Sequence, residues 1–216
     1  MARDLCLQCQ RPIIACICPF ILKTENKIKV LVLQHPSEVT QTKGTVALLQ
    51  RSLKHCQVII GENFTEHDEL NLILSHYQAL LLYPSKEADT LAIDYIIPNT
   101  SVNSEKPLLL IIIDGTWKKA YRMFMLSKNL HSLAQICLPE SIANSGQYLI
   151  RKVAKKNALS SLEATCYALA SLEGELSISM SNIDLDETKH CIDAKRYQPL
   201  LNKFSQFNQF QLSFRK

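Results

Sequence analysis

The feature that most constrains the fold is an uninterrupted apolar run at residues 108–113, which reads Leu-Leu-Leu-Ile-Ile-Ile. Six aliphatic side chains in succession leave no polar face for solvent, so the run predicts a strand covered on both sides. Shorter apolar runs at 28–33, 56–60, 79–83 and 133–138 alternate with helical patterns. Strands separated by helices predict an α/β fold, with a mostly parallel sheet and helices on both of its faces.

The spacing of apolar residues also predicts the connecting helices, which are expected at 42–54, 68–77, 117–126 and 159–172. One or more polar helices are expected from 186 to 210. Pro199 should interrupt them, because proline lacks the backbone N–H that the interior of a helix requires.

Length and composition exclude several classes of protein. The chain has 216 residues, of which 47% are hydrophobic, so it can bury a core and is too apolar for a disordered chain. No apolar run approaches the ~20 residues of a membrane span. The first residues lack the apolar stretch of a secretory signal. A cytoplasmic protein without membrane contact is expected, either a monomer or a homodimer, with no stable protein partner implied.

Four of the eight cysteines lie close together near the N-terminus, at Cys6, Cys9, Cys16 and Cys18. Four thiolates in a compact loop suit a tetrahedral zinc ion that keeps no open coordination position. Residues 1–22 are therefore predicted to form a zinc-binding knuckle. The alternatives are cysteine pairs that arose by chance and a redox-active Cys-x-x-Cys, which would need a strand-to-helix context that the segment lacks.

Charge is unevenly distributed, although the formal net charge is only +4. Residues 62–105 contain eight acids and one base, whereas residues 118–156 contain eight bases and one acid. A basic stretch of this size would attract a polyanion such as RNA. The alternative is a solvated helix face that the acidic segment balances in space.

Three polar clusters follow predicted strands, where ligands bind in parallel α/β sheets. They are His-Pro-Ser-Glu at 35–38, Tyr-Pro-Ser at 83–85 and Asp-Gly-Thr-Trp at 114–117. Asp114 follows the most apolar strand, at a position where water is scarce. This coincidence of polar clusters with strand ends points to an active site.

The 114–117 cluster has both a functional and a structural interpretation. Gly115 permits a tight turn or the close approach of a ligand. Trp117 is the only tryptophan and could stack on a nucleobase. In the structural alternative, Asp114 or Thr116 caps the following helix and Trp117 packs in the core.

A helix start is predicted at 159–164, where Ser160 and Glu163 form a capping-box pattern. A helix N-terminus also binds carboxylate or phosphate, so Ser160 and Ser161 are candidates for contact with a ligand. Arg151 lies just upstream in the segment Tyr-Leu-Ile-Arg at 148–151. Taken alone it is typical of a surface or salt-bridge residue.

The order of these motifs along the chain resembles that of the DTW-domain family of tRNA-uridine aminocarboxypropyltransferases. The motifs are the cysteine pattern, the strand-end clusters, Thr45, the 148–151 segment and the helix start. The sequence departs from the family pattern at Lys43-Gly44, where an asparagine is expected before Thr45, and at Ser161, where threonine is usual. The resemblance implies a SPOUT-like catalytic domain at 23–216, with a chain path that forms a knot. It also implies transfer of the 3-amino-3-carboxypropyl group from S-adenosylmethionine to N3 of a uridine in the variable loop or D-loop of tRNA.

The resemblance and this chemistry together indicate the candidate site residues. Asp114 is the candidate base, or hydrogen-bond acceptor, for uridine N3–H. The candidates for binding S-adenosylmethionine are Pro84, Ser85, Gly115, Thr116, Trp117, Ser160, Ser161 and Glu163. The candidates for binding tRNA phosphates, together with the zinc knuckle, are Arg151, Lys152, Lys155 and Lys156.

Two other functions remain open at this stage. A SPOUT-type RNA methyltransferase would use the same co-substrate but attack a different carbon. A zinc-containing RNA-binding protein without catalysis would explain the cysteines and the basic stretch, and would leave the strand-end clusters as turns.

Overall fold

The computed structural model describes residues 4–84, 88–90, 106–143, 159–174, 177–181 and 189–214. Its main sheet contains β1 (Lys29–Gln34), β2 (Cys56–Ile60), β3 (Gln78–Leu82), β4 (Asp89–Thr90), β5 (Leu108–Asp114) and β6 (Ala134–Cys137). The strands lie in the order β2-β1-β5-β3-β6-β4, and each of the five pairings is parallel. The predicted parallel sheet is confirmed.

The helices that connect and cover these strands are α1 (Pro36–Val39), α2 (Val46–Ser52), α3 (Asp68–His76), α4 (Trp117–Leu126), α5 (Glu140–Ala143), α6 (Ser161–Leu172) and α7 (Gln198–Leu212). A separate antiparallel pair is formed by β7 (Ser177–Ser181) and β8 (Lys189–Asp193). Short 3-10 turns occupy Ile13–Ala15, Cys18–Phe20, Lys128–Leu130 and Lys195–Tyr197. Over the described ranges, each helix is too short or too polar to cross a bilayer.

Successive side chains of the central strands point to opposite faces of the sheet and so contribute to two cores. In β5, Leu110 and Ile112 face a core that α2, α6 and α7 complete. Leu109 and Ile111 face the opposite core, to which α3 and α4 contribute. The sheet is therefore covered on both faces, which explains why the 108–113 run carries no polar residue.

The cysteine-containing N-terminal segment packs against the last helix. Ile17 is 1% exposed and belongs to the core that α6 and α7 share. The ring of Phe20 lies 5.6 Å from that of Phe207 and 5.1 Å from that of Phe210. The two ends of the chain are thereby held together by aromatic contacts.

The C-terminal prediction is partly wrong. Lys189–Asp193 forms a strand where a helix was expected, and Pro199 lies in the first turn of α7 instead of interrupting a helix. Proline is tolerated there because the first N–H groups of a helix have no partner within the helix. The helix is also not polar throughout, since Leu200, Phe204 and Phe207 are buried. Residues 186–188 lie outside the described ranges.

Phe207 provides a test of this packing, because its side chain is fully buried between Phe20 and Phe204. Phe207→Ala should lower the free energy of unfolding by about 3–5 kcal/mol, since it leaves a cavity. The matched control is Phe214→Ala, because Phe214 is 46% exposed, and its loss should be near ~0.5 kcal/mol. Equal losses for the two variants in urea denaturation would contradict this packing.

Candidate active site and metal centre

Asp114 ends β5 at the carboxyl edge of the sheet and is 7% exposed. Its Oδ2 accepts a hydrogen bond from Gln34 Nε2 at 3.0 Å, and its Oδ1 accepts one from Ser161 Oγ at 2.5 Å. Gln34 ends β1, and Ser161 begins α6. The buried carboxylate is therefore oriented from two sides, by a neighbouring strand and by the start of a helix.

The turn after Asp114 leads into α4, which lies on the face of the sheet opposite to α6. Thr116 is the N-cap, because its side-chain oxygen accepts a hydrogen bond from the Lys119 backbone N–H at 3.4 Å. A Cβ on Gly115 would lie 3.2 Å from that of Lys119, which explains the glycine. Trp117 is 58% exposed, so the interpretation that places it in the core is wrong.

His35 lies beside Asp114 and is bound on both ring nitrogens. Its backbone N–H donates to the Asp114 carbonyl at 3.0 Å. The ring Nδ1 accepts from the Ser37 backbone N–H at 3.1 Å, and Nε2 lies 3.1 Å from Glu62 Oε1. Since Nδ1 accepts, the proton of the neutral ring belongs on Nε2, where it is donated to Glu62. Arg122 of α4 lies 3.8 Å from the other oxygen of Glu62.

A second ion pair joins α4 to α1. Glu38 is 4% exposed, and its Oε1 lies 2.9 Å from Lys119 Nζ. The same ammonium group donates to Ser37 Oγ at 2.6 Å. A buried carboxylate needs such a partner, because an isolated buried charge is strongly unfavourable.

A cleft of about 240 Å³ opens next to these residues. Gln34 and Glu38 line it from the strand end and from α1, and Arg11 lines it from the cysteine segment. Gln34 therefore connects the cleft to Asp114, because its side chain contributes to the wall of one and donates to the other.

The start of α6 has the predicted capping box. Ser160 Oγ accepts from the Glu163 backbone N–H at 3.2 Å, and Glu163 Oε2 accepts from the Ser160 backbone N–H at 2.8 Å. Both side chains are buried and occupied by this cap. Ser161 is the residue of this helix start whose hydroxyl reaches Asp114.

The other sequence-predicted residues are only partly covered by the structure. Pro84 follows β3 and is exposed. The predictions for Ser85, Arg151, Lys152, Lys155 and Lys156 fall outside the described residues, as do the 148–151 segment and the predicted knot.

Sequence reasoning missed Gln34, Glu62 and Lys119. A signal existed for Gln34, since it is the first polar residue after an apolar strand, as Asp114 is. Glu62 and Lys119 gave no signal, because their partners His35 and Glu38 are distant in the sequence.

The cysteine cluster has the geometry of a metal site. The four Sγ atoms of Cys6, Cys9, Cys16 and Cys18 lie within 4.8 Å of one another. The Cys6–Cys18 and Cys9–Cys16 Sγ distances are both 3.7 Å. A tetrahedron with Zn–S bonds of ~2.3 Å has edges of ~3.8 Å, so the four donors fit a metal ion of this kind. Hydrogen bonds from the backbone N–H groups of Cys9 and then Gln8, with a side-chain hydrogen bond to Cys16, lower the pKa of Cys6 to about 6, which favours its thiolate. Burial and the neighbouring thiols instead raise the pKa of Cys18 to about 12.

Comparison with known proteins places the chain in a family. It matches the model of the DTW domain over residues 3–212. It is 34% identical over 179 residues to the tRNA-uridine aminocarboxypropyltransferase 2 of Drosophila melanogaster, which covers 79% of this chain and 67% of that protein. The proteins of the same name from Macaca fascicularis and Mus musculus are 35% and 32% identical over 177 residues, and the chain spans 57% of each. No solved structure is significantly similar. The chain therefore belongs to the DTW domain family.

Proposed function

We propose that this chain transfers the 3-amino-3-carboxypropyl group from S-adenosylmethionine to N3 of a uridine in tRNA. The observation that carries the proposal is the buried, doubly hydrogen-bonded carboxylate of Asp114 at the carboxyl edge of the sheet. The names of the relatives, which specify aminocarboxypropyl transfer to tRNA uridine, support it. The parallel sheet is compatible with a SPOUT-like fold, which is part of the proposal.

The reaction requires a group that accepts the N3 proton while the new N–C bond forms. When bound, S-adenosylmethionine supplies a carbon activated by the sulfonium, and methylthioadenosine leaves as the C–S bond breaks. Each oxygen of Asp114 accepts one hydrogen bond from the protein and can accept another, so the carboxylate can receive N3–H. Gln34 and Ser161 fix its orientation beforehand, which lowers the entropic cost of reaching the reactive geometry.

The elements around Asp114 suggest where the donor binds. The ends of β3 and β5 are neighbours in the sheet, and α6 starts against the end of β5. Pro84, Gly115 and Thr116 follow those two strands. The N-terminus of α6 favours an anion such as the donor carboxylate, and Ser161 brings that terminus to Asp114.

We further propose that the four cysteines hold a zinc ion and that residues 1–22 are a zinc knuckle attached to a catalytic domain at 23–216. A closed four-sulfur site has no open coordination position, so its role is to hold the fold of the knuckle. Arg11 of this segment lines the cleft, and its guanidinium donates a hydrogen bond to the Thr42 carbonyl at 2.9 Å. Arg151, Lys152, Lys155 and Lys156 are proposed to contact tRNA phosphates.

Product analysis tests the proposed reaction. Incubation of the chain with S-adenosylmethionine and unmodified tRNA should yield methylthioadenosine and aminocarboxypropyl-uridine, measured by mass analysis of nucleosides. S-adenosylhomocysteine with a methylated nucleoside would instead indicate a methyltransferase. Binding of tRNA without either product would indicate a protein that binds RNA and does not modify it.

Asp114→Asn tests the role of the carboxylate, because the amide cannot accept a proton at neutral pH. We expect kcat to fall by about 10²- to 10⁴-fold, the range of general acid–base contributions. Binding of S-adenosylmethionine, measured by calorimetry, should persist. Ser161→Ala is the matched control, since it removes one orienting hydrogen bond and leaves the carboxylate, and it should lose less activity. Full turnover by Asp114→Asn would eliminate the proposed proton transfer.

Metal analysis of the purified chain should find one zinc ion per chain. Replacing both Cys16 and Cys18 with serine should release it, since two of the four thiolates are lost. The control is Cys137→Ser, which lies on β6 outside the cluster and should retain the metal. Unchanged zinc content in the Cys16/Cys18 variant would refute this ligand set.

A further inference from the structure

Helix α4 buries one of its sides and exposes large apolar groups on the other. Ala120 and Met123 are 6% and 1% exposed beneath the helix. Trp117, Tyr121 and Met125 are 58%, 58% and 50% exposed. These three residues recur every four positions, so they form one row along the outward side, with about 6 Å of helix axis between neighbours.

Cations lie beside this row. Lys118 and Arg122 are exposed and also four positions apart, and the ten residues of α4 include no acid. Aromatic rings stack on the faces of nucleobases, and neighbouring cations contact phosphates. An exposed row of two aromatic rings and a methionine, with a cationic row next to it, is the pattern expected of a surface for single-stranded nucleic acid.

This surface is continuous with the candidate active site. α4 begins at Trp117, three residues after Asp114. Arg122 lies 3.8 Å from Glu62, which in turn contacts His35 at 3.1 Å. A strand of RNA that lies along the outward side of α4 would therefore lead to the carboxyl end of β5.

We infer that the outward side of α4 docks the unpaired nucleotides that flank the target uridine. This surface, here termed the aromatic–basic face, is formed by Trp117, Lys118, Tyr121, Arg122 and Met125. The inference rests on the proposed function and deepens it. Of the two roles that the sequence analysis gave to Trp117, stacking on a nucleobase and contact with the co-substrate, the inference takes the first.

Charge favours RNA over a second copy of this chain as the occupant. In a two-fold dimer through this face, the same surface would meet itself. Lys118 would then approach the same cation of the partner, as would Arg122, whose charge Glu62 offsets only in part, whereas the phosphates of RNA are complementary to both.

The test measures binding of unmodified tRNA to the full chain as a function of salt. Removal of a stacked ring weakens binding by about 5- to 150-fold per base, so Trp117→Ala with Tyr121→Ala should weaken tRNA binding by at least about 10-fold. Lys118→Glu should reduce the slope of log affinity against log salt by about 1. Trp117, Lys118 and Tyr121 are exposed, so the urea midpoint of unfolding should stay close to that of wild type for both variants.

Two variants provide matched controls away from this face. Phe214→Ala removes an exposed ring at the end of α7, and Lys27→Glu reverses an exposed charge just before β1, at the opposite edge of the sheet. Neither should change tRNA affinity by more than about 2-fold.

The outcomes separate this inference from the proposed function. If wild type modifies tRNA and the Trp117/Tyr121 variant binds it with unchanged affinity, the inference is overturned and the proposed function stands. If wild type neither binds nor modifies tRNA, the proposed function fails. If the variant changes only the oligomeric state in sedimentation, the face is an interface between copies, and the inference is again overturned.

Discussion

The parallel pairing of β1 with β5 fixes the candidate site, because it aligns Gln34 with Asp114 at the last position of the ladder. Residues paired in register point to the same face of a sheet, so the amide and the carboxylate meet on the side that α6 covers. A shift of one residue would turn every side chain of β1 to the opposite face. The buried aliphatic residues on both faces prevent that shift, so the packing of the core also holds the carboxylate in place.

The cysteine segment is linked to this site through the core and not only through the chain. Phe20 packs on α7, while Arg11 reaches the cleft that Gln34 lines. A metal ion that closes the four-sulfur cluster would restrain the loop that carries Arg11. Loss of the metal is therefore expected to act on the site at a distance, through the position of Arg11, and not through the chemistry at Asp114.

Secondary-structure elements with a strong local sequence pattern could be predicted from the sequence. Residues 108–113 predicted a buried strand because aliphatic residues in succession exclude a solvated face, and the Ser160–Glu163 capping box marked the start of α6. The predicted helix interruption at Pro199 was wrong, because proline is as compatible with the first turn of a helix as with a break in one. The hydrogen bonds of Gln34 and Ser161 to Asp114 could not be predicted, since the three residues come from distant segments and their pairing depends on the strand order.

The position of Asp114 also bears on how two substrates would meet. Its side chain points to the face covered by α6, whereas the turn that follows it leads to α4 on the other face. In the proposed reaction, the donor lies at the start of α6 and the RNA lies along α4, so the two approach the end of β5 from opposite sides. Displacement at carbon requires the nucleophile and the leaving group to lie on opposite sides of that carbon. A strand end between two helices on opposite faces would let the donor and the RNA approach Asp114 from different sides without a rearrangement of the sheet.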